Sequence, residues 1–299
     1  MTARRFDTAV IIGPGLLGAS LGLALKERGL ARLVRGVGHR QATVDGALRV
    51  GAIDEGGLDP AAACEDADLV VICTPAALVA PMIDAVAPVC QEGAVITDVA
   101  STKSAICAHA AVRWPEARPF VGSHPMAGSE KWGPEHASAS LYEGRVTVVE
   151  ADPQGAAPGV QEAVENLWKA VGSEVARMDP ARHDAVVART SHVPHIAAAA
   201  LAEIADAAGP EARLLTGQGF RDTTRIAAGR ASIWRDICLT NQGPVTEALD
   251  DMAARIAEVR HAVASGDGDA LALFFDSARE ARLSLEPPAA EPGQAAGQP

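Results

Sequence analysis

One stretch of the chain collects side chains that could move a proton or hold an anion. Residues 120–134 read FVGSHPMAGSEKWGP and set His124, Glu130 and Lys131 among small residues. Histidine is the side chain whose ordinary pKa, about 6.5, suits proton acceptance near neutral pH. The flanking glycines and prolines predict a loop rather than a helix or strand. We therefore interpret His124 as a candidate proton acceptor, against the alternative of a structural histidine.

The densest basic cluster of an acidic chain lies further along. Arg221 and Arg225 stand four residues apart, on one face of a predicted helix that begins after Gly219. A planar guanidinium can bind both oxygens of a carboxylate. The chain has 26 Lys and Arg against 38 Asp and Glu, a formal charge of −12. A local basic cluster therefore indicates an anionic small molecule, and the alternative is a surface ion-pair ladder.

The histidines and cysteines do not form a recognisable metal site. His192 and His195 share a helix face around Pro194, which should interrupt the helix hydrogen bonding and bend it. No further ligands stand at metal-binding spacing. The five cysteines are far apart and contain no CxxC pair. The sequence predicts neither a metal site nor a disulfide framework, and either histidine could also be a core residue.

Strands and helices that must position these residues are predicted to alternate in the first half of the chain. Alternation of apolar strands with alanine-rich helices predicts an α/β fold, a doubly wound Rossmann-type parallel sheet covered on both faces. The predicted strands are TAVIIG, LVRGVG, LVVICTP, AVITDVA, RPFVGS, RVTVVE and SEVARM.

Beyond Met178 the pattern becomes helical. Asp179-Pro180 can cap and open a helix, so a boundary is placed there. The interpretation is a doubly wound domain at residues 1–178, an all-α domain at 179–285 and a disordered tail at 286–299, where Pro, Ala, Gly and Gln dominate.

A glycine-rich turn follows the first predicted strand. IIGPGLLGAS has the GxGxxG spacing between a strand and a helix, the context in which it predicts a dinucleotide site. Gly13 permits the tight turn, Gly15 lets the backbone approach a pyrophosphate, and Gly18 lets the helix pack on the sheet. The candidate cofactor-binding residues are Gly13, Gly15, Leu16, Leu17, Gly18, His39, Arg40, Thr74, Pro75 and Ser101.

The end of the second strand bears on which dinucleotide is bound. GVGHRQAT has Gly38 where NAD sites usually carry an acid, and His39 and Arg40 follow. Arg40 can pair with a 2′-phosphate, so NADP is favoured over NAD. The alternative is that Arg40 is a solvated charge and NAD binds without the acid.

Three loops should border one cleft, because ligands of a doubly wound sheet bind at the carboxyl ends of its strands. The segments CTP, DVASTK and GSHPMAG each follow a predicted strand. Ser101 has an alternative role as the cap of a helix that begins near Thr102. The polar residues expected near the nicotinamide end are Thr74, Ser101, Lys103, His124 and Glu130.

Four motifs occur in a characteristic order: DVASTK at 98–103, SHPMAGSE at 123–130, TSHVPH at 190–195 and GFRDTTRIA at 219–227. Together, over roughly residues 8–260, they resemble the prephenate/arogenate dehydrogenase family of tyrosine biosynthesis. The resemblance implies oxidative decarboxylation of prephenate or, alternatively, of arogenate. Hydride leaves C4 of the ring for the nicotinamide, the ring carboxylate leaves as carbon dioxide, and the ring becomes aromatic.

The resemblance also implies roles for residues. His124 accepts a hydrogen bond or proton from the ring C4 hydroxyl, Ser101 holds that hydroxyl and orients the nicotinamide, and Arg225 binds a substrate carboxylate. A homodimer through the C-terminal helical domain is implied as well. The further candidate substrate-binding residues are His195, Arg221, Trp234 and Glu130, with the family often having lysine at the Arg221 position.

Composition excludes several other classes of protein. The acidic charge disfavours nucleic acid and anionic membranes, and no apolar run is long enough to cross a bilayer. The N-terminal segment lacks the features of a signal peptide, so a cytoplasmic location is expected. Two rivals remain: another two-domain NAD(P) dehydrogenase for hydroxy or imino acids, which SHPMAGSE disfavours, and a non-catalytic dinucleotide-binding regulator, which would not need Ser101, His124 and Arg225.

Overall fold

The computed structural model describes residues 5–128 and 131–286. The chain divides into two compact units, residues 1–245 and 246–299. The described residues contain eight strands, namely β1 (Phe6–Ile12), β2 (Ala31–Val37), β3 (Glu55–Gly57), β4 (Leu69–Ile72), β5 (Val95–Asp98), β6 (Ser123–Pro125), β7 (Val146–Glu150) and β8 (Glu174–Met178).

Helices join these strands and make up the C-terminal part of the described chain. Three short segments are not α-helical: 3₁₀ turns at Pro134–His136 and Arg225–Ala228, and a π-helical turn at Ala188–His192. The α-helices are α1 (Leu16–Glu27), α2 (Gln41–Arg49), α3 (Pro60–Cys64), α4 (Ala76–Val86), α5 (Ser104–Arg113), α6 (Val160–Ala170), α7 (Pro180–Val187), α8 (Val193–Asp206), α9 (Ala212–Leu215), α10 (Gln218–Thr224), α11 (Ala231–Thr240), α12 (Gln242–Ser265) and α13 (Gly268–Ser284).

The five-stranded sheet has the order β3-β2-β1-β4-β5, and every pair in it is parallel. From β1 the chain adds β2 and β3 on one side of the sheet, and it then returns to add β4 and β5 on the other side. The strand order therefore reverses between β1 and β4. All four residues of β4 and of β5 are buried, as expected for strands covered on both faces. The predicted doubly wound fold is confirmed.

A second sheet corrects the prediction for the histidine stretch. Ser123, His124 and Pro125 form β6, which pairs antiparallel with β7, and β7 pairs parallel with β8. His124 therefore lies in a short strand rather than in a loop. Pro125 is compatible with this because it ends the strand, where the missing N–H is least disruptive.

The helical part begins as expected and then departs from the prediction. The Asp179 carboxylate accepts from the Arg182 N–H, and Pro180 opens α7. The helix is irregular just before Pro194, where residues Ala188–His192 form a π-helical turn, and Pro194 lies in the first turn of α8. Arg221 and Arg225 do not share one α-helix, because α10 ends at Thr224 and a 3₁₀ turn begins at Arg225.

The described residues give neither a membrane element nor a metal centre. None of their helices is long and apolar enough to cross a bilayer. None of their His, Cys, Asp and Glu side chains forms a group that could hold a metal ion. Most of the proposed tail, residues 287–299, lies outside the part of the chain that the structure describes.

Candidate functional site

The turn after β1 has the shape of a phosphate cradle. Gly13 has a φ of +93°, and a Cβ there would lie 2.7 Å from the carbonyl oxygen of Cys73. A Cβ on Gly18 would lie 2.4 Å from the Gly13 carbonyl oxygen, whereas a Cβ on Gly15 would meet nothing within 4 Å. Close packing explains why Gly13 and Gly18 are glycines. Gly15 instead leaves the backbone open at the start of α1, which suits a pyrophosphate.

The neighbouring strand ends also suit a dinucleotide. The Thr74 hydroxyl oxygen is buried, and it has no hydrogen-bond partner among the described residues. The Thr74 main-chain nitrogen would lie 3.3 Å from a Cβ on Gly13, so it borders the glycine turn. Pro75 then precedes α4 as its cap residue. A buried unpaired hydroxyl at this position would suit a polar group of a bound dinucleotide.

His124 is held by a series of hydrogen bonds. Its Nδ1 lies 2.9 Å from Nε2 of His183, and Nδ1 of His183 lies 2.9 Å from a carboxylate oxygen of Asp184. A carboxylate only accepts, so His183 donates through Nδ1 and, when neutral, accepts at Nε2. His124 then donates through Nδ1. Its Nε2 is left unprotonated and able to accept a proton.

The surroundings of His124 favour its neutral form. Burial is the largest cause that lowers its pKa well below the ordinary value, and His183 and Lys103 lower it further. The residue is only 9% exposed. A neutral imidazole with a free Nε2 is the form that a proton acceptor requires.

Asp184 ties this histidine to the segment that carries Ser101. Its carboxylate accepts from the main-chain N–H groups of Lys103 and Ser104, at 2.7 and 2.8 Å. Burial alone would raise the pKa of Asp184, but the hydrogen bonds from His183 and these N–H groups outweigh burial and keep the pKa low. Helix α5 begins at Ser104 and is capped by Asp184, so the capping role considered for Ser101 is wrong.

A buried ion pair supports the same segment. The Lys103 ammonium pairs with Asp98 at the end of β5, and both side chains are at most 2% exposed. Asp98 also accepts from the Ser123 main-chain N–H at 3.0 Å, which joins the end of β5 to β6. Ser101 itself is half-buried in the intervening loop. The structure therefore brings the DVASTK segment alongside the strand that holds His124.

A second cluster gathers predicted substrate-binding residues in the helical part. The rings of His195 and Trp234 stack at 3.6 Å between centroids and 26° between planes. Nδ1 of His195 lies 3.0 Å from the carbonyl oxygen of Ser191, to which it donates. Burial lowers the pKa of His195, and the nearby charge of Arg225 lowers it further. His195, Trp234 and Arg225 are thus brought together.

The remaining predicted residues lie apart from these clusters or are not described. Arg221 donates to the Thr216 carbonyl oxygen at 2.6 Å, on an exposed helix. His39 and Arg40 are exposed at the end of β2, whose Val37 carbonyl accepts from the Gly13 N–H. Glu130 lies outside the described residues. The roles predicted for all of these residues stay predictions.

Sequence reasoning missed three residues of the site. His183 and Asp184 hold His124, and the Asn241 side chain donates to the Asp184 main-chain oxygen at 2.9 Å. The one available signal was an adjacent His-Asp pair just inside the first helix after the predicted boundary. Nothing in the spacing connected that pair with a histidine about sixty residues earlier.

Comparison with known proteins agrees with this geometry. The family description "Prephenate dehydrogenase, nucleotide-binding domain" matches residues 21–177, and "Prephenate dehydrogenase, dimerization domain" matches residues 179–277. The chain is 31% identical to prephenate dehydrogenase of Bacillus subtilis, over 93% of this chain and 76% of that protein. It is 30% identical to cyclohexadienyl dehydrogenase of Zymomonas mobilis, over 94% and 97%.

A solved structure extends the likeness to the whole fold. The prephenate dehydrogenase of A. aeolicus, crystallised with hydroxyphenyl propionate and NAD+, superposes with a TM-score of 0.87. It is 28% identical, and the match covers 95% of this chain and 100% of that chain. Together with the two family matches, which cover most of the chain, this shows that the chain belongs to the prephenate dehydrogenase family of NAD(P)-dependent oxidoreductases.

Proposed function

We propose that the cleft converts prephenate to 4-hydroxyphenylpyruvate, with Nε2 of His124 as the proton acceptor. The observation that carries the proposal is the hydrogen-bond series from Asp184 through His183, which leaves this nitrogen unprotonated. The nicotinamide supplies the hydride acceptor when it is bound. The glycine turn at Gly13 and Gly15 positions the cofactor through its phosphates.

The proton balance of this reaction explains why one neutral histidine is enough. As hydride leaves C4, the C4 hydroxyl proton passes to His124 and a carbonyl forms at C4. The bond between C1 and the carboxylate then breaks, carbon dioxide departs, and the electron pair makes the ring aromatic. The phenolate oxygen takes the proton back from His124. The histidine is therefore protonated only temporarily and is unchanged at the end of the reaction.

The anionic end of the substrate belongs in the helical part. Arg225 binds a carboxylate, where a guanidinium can grip both oxygens. His195 and Trp234 form the adjoining wall, because their rings are stacked and Arg225 lies close enough to affect the pKa of His195. Ser101, in the loop after β5, is proposed to hold the C4 hydroxyl at the other end of the substrate.

NADP is proposed as the preferred cofactor. A Cβ on Gly38 would lie 2.8 Å from a Val44 methyl and 3.1 Å from the Arg40 carbonyl oxygen. The position therefore has little room for the acid that usually binds the ribose of NAD. Arg40 follows on the exposed end of β2, where it can pair with a 2′-phosphate. In kinetics with both cofactors, Arg40→Ala is expected to abolish the NADP preference.

A homodimer through the helical domain is also proposed. Several large apolar side chains on α8, α9 and α11 are exposed, which suits a surface that a second copy covers. Sedimentation velocity tests this, and replacing Leu214 and Leu215 with glutamate should favour the monomer. The most exposed of these side chains are Ile204 (69%), Leu214 (85%), Leu215 (84%) and Leu239 (65%). The cytoplasmic location stays a prediction.

The assay that tests the function follows absorbance of the reduced nicotinamide. Prephenate and arogenate are each offered with NADP and with NAD. We expect turnover with prephenate, and higher catalytic efficiency with NADP. No turnover with prephenate would contradict the proposal, and turnover only with arogenate would move it to the alternative substrate.

A further inference from the structure

His192 carries a buried ring nitrogen whose role the proposed mechanism does not explain. The residue is 1% exposed, and its Nε2 has no hydrogen-bond partner in the described part of the chain. Buried polar groups are nearly always paired, and leaving one unpaired is destabilising. An unpaired nitrogen beside residues that are proposed to bind the substrate therefore calls for a ligand atom.

Asn241 determines which nitrogen of His192 holds the proton. The side-chain nitrogen of Asn241 lies 2.9 Å from the main-chain oxygen of Asp184 and 3.2 Å from Nδ1 of His192. A carbonyl oxygen only accepts, so the amide group that faces it is the NH₂ group. Its second hydrogen is donated to Nδ1. His192 thus accepts at Nδ1, and the neutral ring carries its proton on Nε2.

The ring is neutral and lies among the other cleft residues. Burial lowers the pKa of His192 to about 4. Its ring centroid lies 6.4 Å from that of Trp234, with the planes at 71°. His192 also lies close enough to His124 to lower its pKa, and His195 acts on His192 in the same way.

The three histidines differ in what they offer to a ligand. His124 and His195 donate through Nδ1 to protein acceptors, so their neutral rings present an unprotonated Nε2. His192 has the opposite arrangement and presents an N–H. Because the nitrogen that His192 offers to a ligand already carries a proton, it cannot take the proton of the C4 hydroxyl. The same N–H suits an anionic oxygen.

We propose that the Nε2–H of His192 donates a hydrogen bond to a carboxylate oxygen of the bound substrate. The proposal rests on the proposed function and adds a second carboxylate contact to that of Arg225. Prephenate has two carboxylates, one on C1 of the ring and one on the side chain. Asn241 is a positioning residue, because it acts on the substrate only through His192.

Two amide substitutions of His192 test the contact. The amide nitrogen of glutamine reaches the position of Nε2, whereas that of asparagine reaches only the position of Nδ1. His192→Asn should raise the KM for prephenate roughly 10- to 100-fold, the usual scale for a hydrogen bond to a charged group. His192→Gln should stay within about threefold of wild type. Neither change should alter the Kd for the cofactor.

Several results would overturn the proposal. They are an unchanged KM in His192→Asn, equal KM values in the two variants, or a weakened cofactor Kd with unchanged substrate constants. Wild-type turnover of prephenate is measured first, so that failure of the proposed function is seen separately. Binding of 4-hydroxyphenylpyruvate, which lacks the ring carboxylate, identifies the acceptor: an unchanged Kd in His192→Asn assigns the ring carboxylate, and a weaker Kd the side-chain carboxylate.

A measurement independent of turnover tests the tautomer. Nitrogen-15 spectra of protein labelled at histidine are expected to show His192 protonated at Nε2 and bare at Nδ1. The Nε2–H resonance should shift when 4-hydroxyphenylpyruvate or prephenate is bound without cofactor. A His192 ring protonated at Nδ1, or an Nε2–H resonance that neither ligand moves, would contradict the inference.

Discussion

At the scale of residues, the protonation of His124 depends on its neighbours more than on its own ring. Asp184 directs the His183 proton to Nδ1, and His183 in turn directs that of His124 to Nδ1. Asp184, which does not contact His124 directly in this series, therefore determines through His183 which nitrogen of His124 is unprotonated. In the proposed mechanism His183 is a positioning residue, since its only contact with the reaction is its hydrogen bond to His124.

Replacement of His183 tests this arrangement. His183→Phe removes the acceptor for His124 Nδ1–H, so kcat should fall about 10- to 100-fold, as for other supporting partners of catalytic groups. His183→Gln, whose amide oxygen can accept, should lose less. Equal losses of kcat in the two variants would show that His183 has only a packing role.

The sequence predicted His124 but not its partners, for a physical reason. His124 was recognisable because SHPMAGSE has a characteristic local pattern. His183 and Asp184 act across 59 and 80 or more positions of the chain, and Asp184 forms part of the helix start that the pattern did predict. Contacts of this range depend on how α7 packs beside α5, which local spacing does not encode.

At the scale of elements, a continuous series of hydrogen bonds and one ion pair connects the segments that carry the site residues. It runs from His124 through His183 and Asp184 to Lys103, then through Asp98 to Ser123, the chain neighbour of His124. This connection joins β5, β6, α5 and α7. It fixes the strand that carries the histidine relative to the loop that carries Ser101.

Two alanine substitutions separate the folding role of the glycine turn from its binding role. Gly13→Ala should destabilise the protein by roughly 1–3 kcal/mol or more, because φ is +93° and the Cβ meets the Cys73 carbonyl. Gly15→Ala should leave the urea midpoint unchanged but raise the Kd for NADP at least ~10-fold, because the Cβ occupies the space for a phosphate. Equal cofactor affinity in Gly15→Ala and wild type would contradict a pyrophosphate at this turn.

The elements themselves were predictable where the local pattern was strong. The predicted strands TAVIIG and LVVICTP correspond to β1 and β4, which are rich in β-branched residues. The prediction had no counterpart for β3, because its three residues, Glu-Gly-Gly, have no strand preference and pair only through the register with β2. The same limit applies to β6, where pairing with β7 overrides the glycine and proline signal.

At the scale of the molecule, buried histidines link stability to pH. The pKa values of His124, His192 and His195 are all lowered, with burial as the largest cause. Such groups stabilise the fold above their unfolded pKa, about 6.5, and this stabilisation is lost as pH falls below that value, because the unfolded chain binds the protons.

The free energy of unfolding should therefore decrease between pH 7.5 and 5.5 as the unfolded chain takes up these protons. Each proton taken up only by the unfolded chain adds a slope of about 1.4 kcal/mol per pH unit. Urea titrations measure this. His192→Gln should flatten the dependence, because it removes one of these buried rings. A stability that is constant across the window would contradict the neutral, buried state of these rings.

The central claim concerns the imidazole of His124, and rapid-mixing measurement of hydride transfer with His124→Asn tests it most directly. Wild type and variant are mixed with prephenate after saturation with NADP, and absorbance of the reduced nicotinamide is followed through the first turnover. The variant should bind NADP as tightly as wild type and transfer hydride at least ~100-fold more slowly, the usual scale of proton-transfer assistance. An unchanged first-turnover rate would remove His124 from the chemistry and contradict the account.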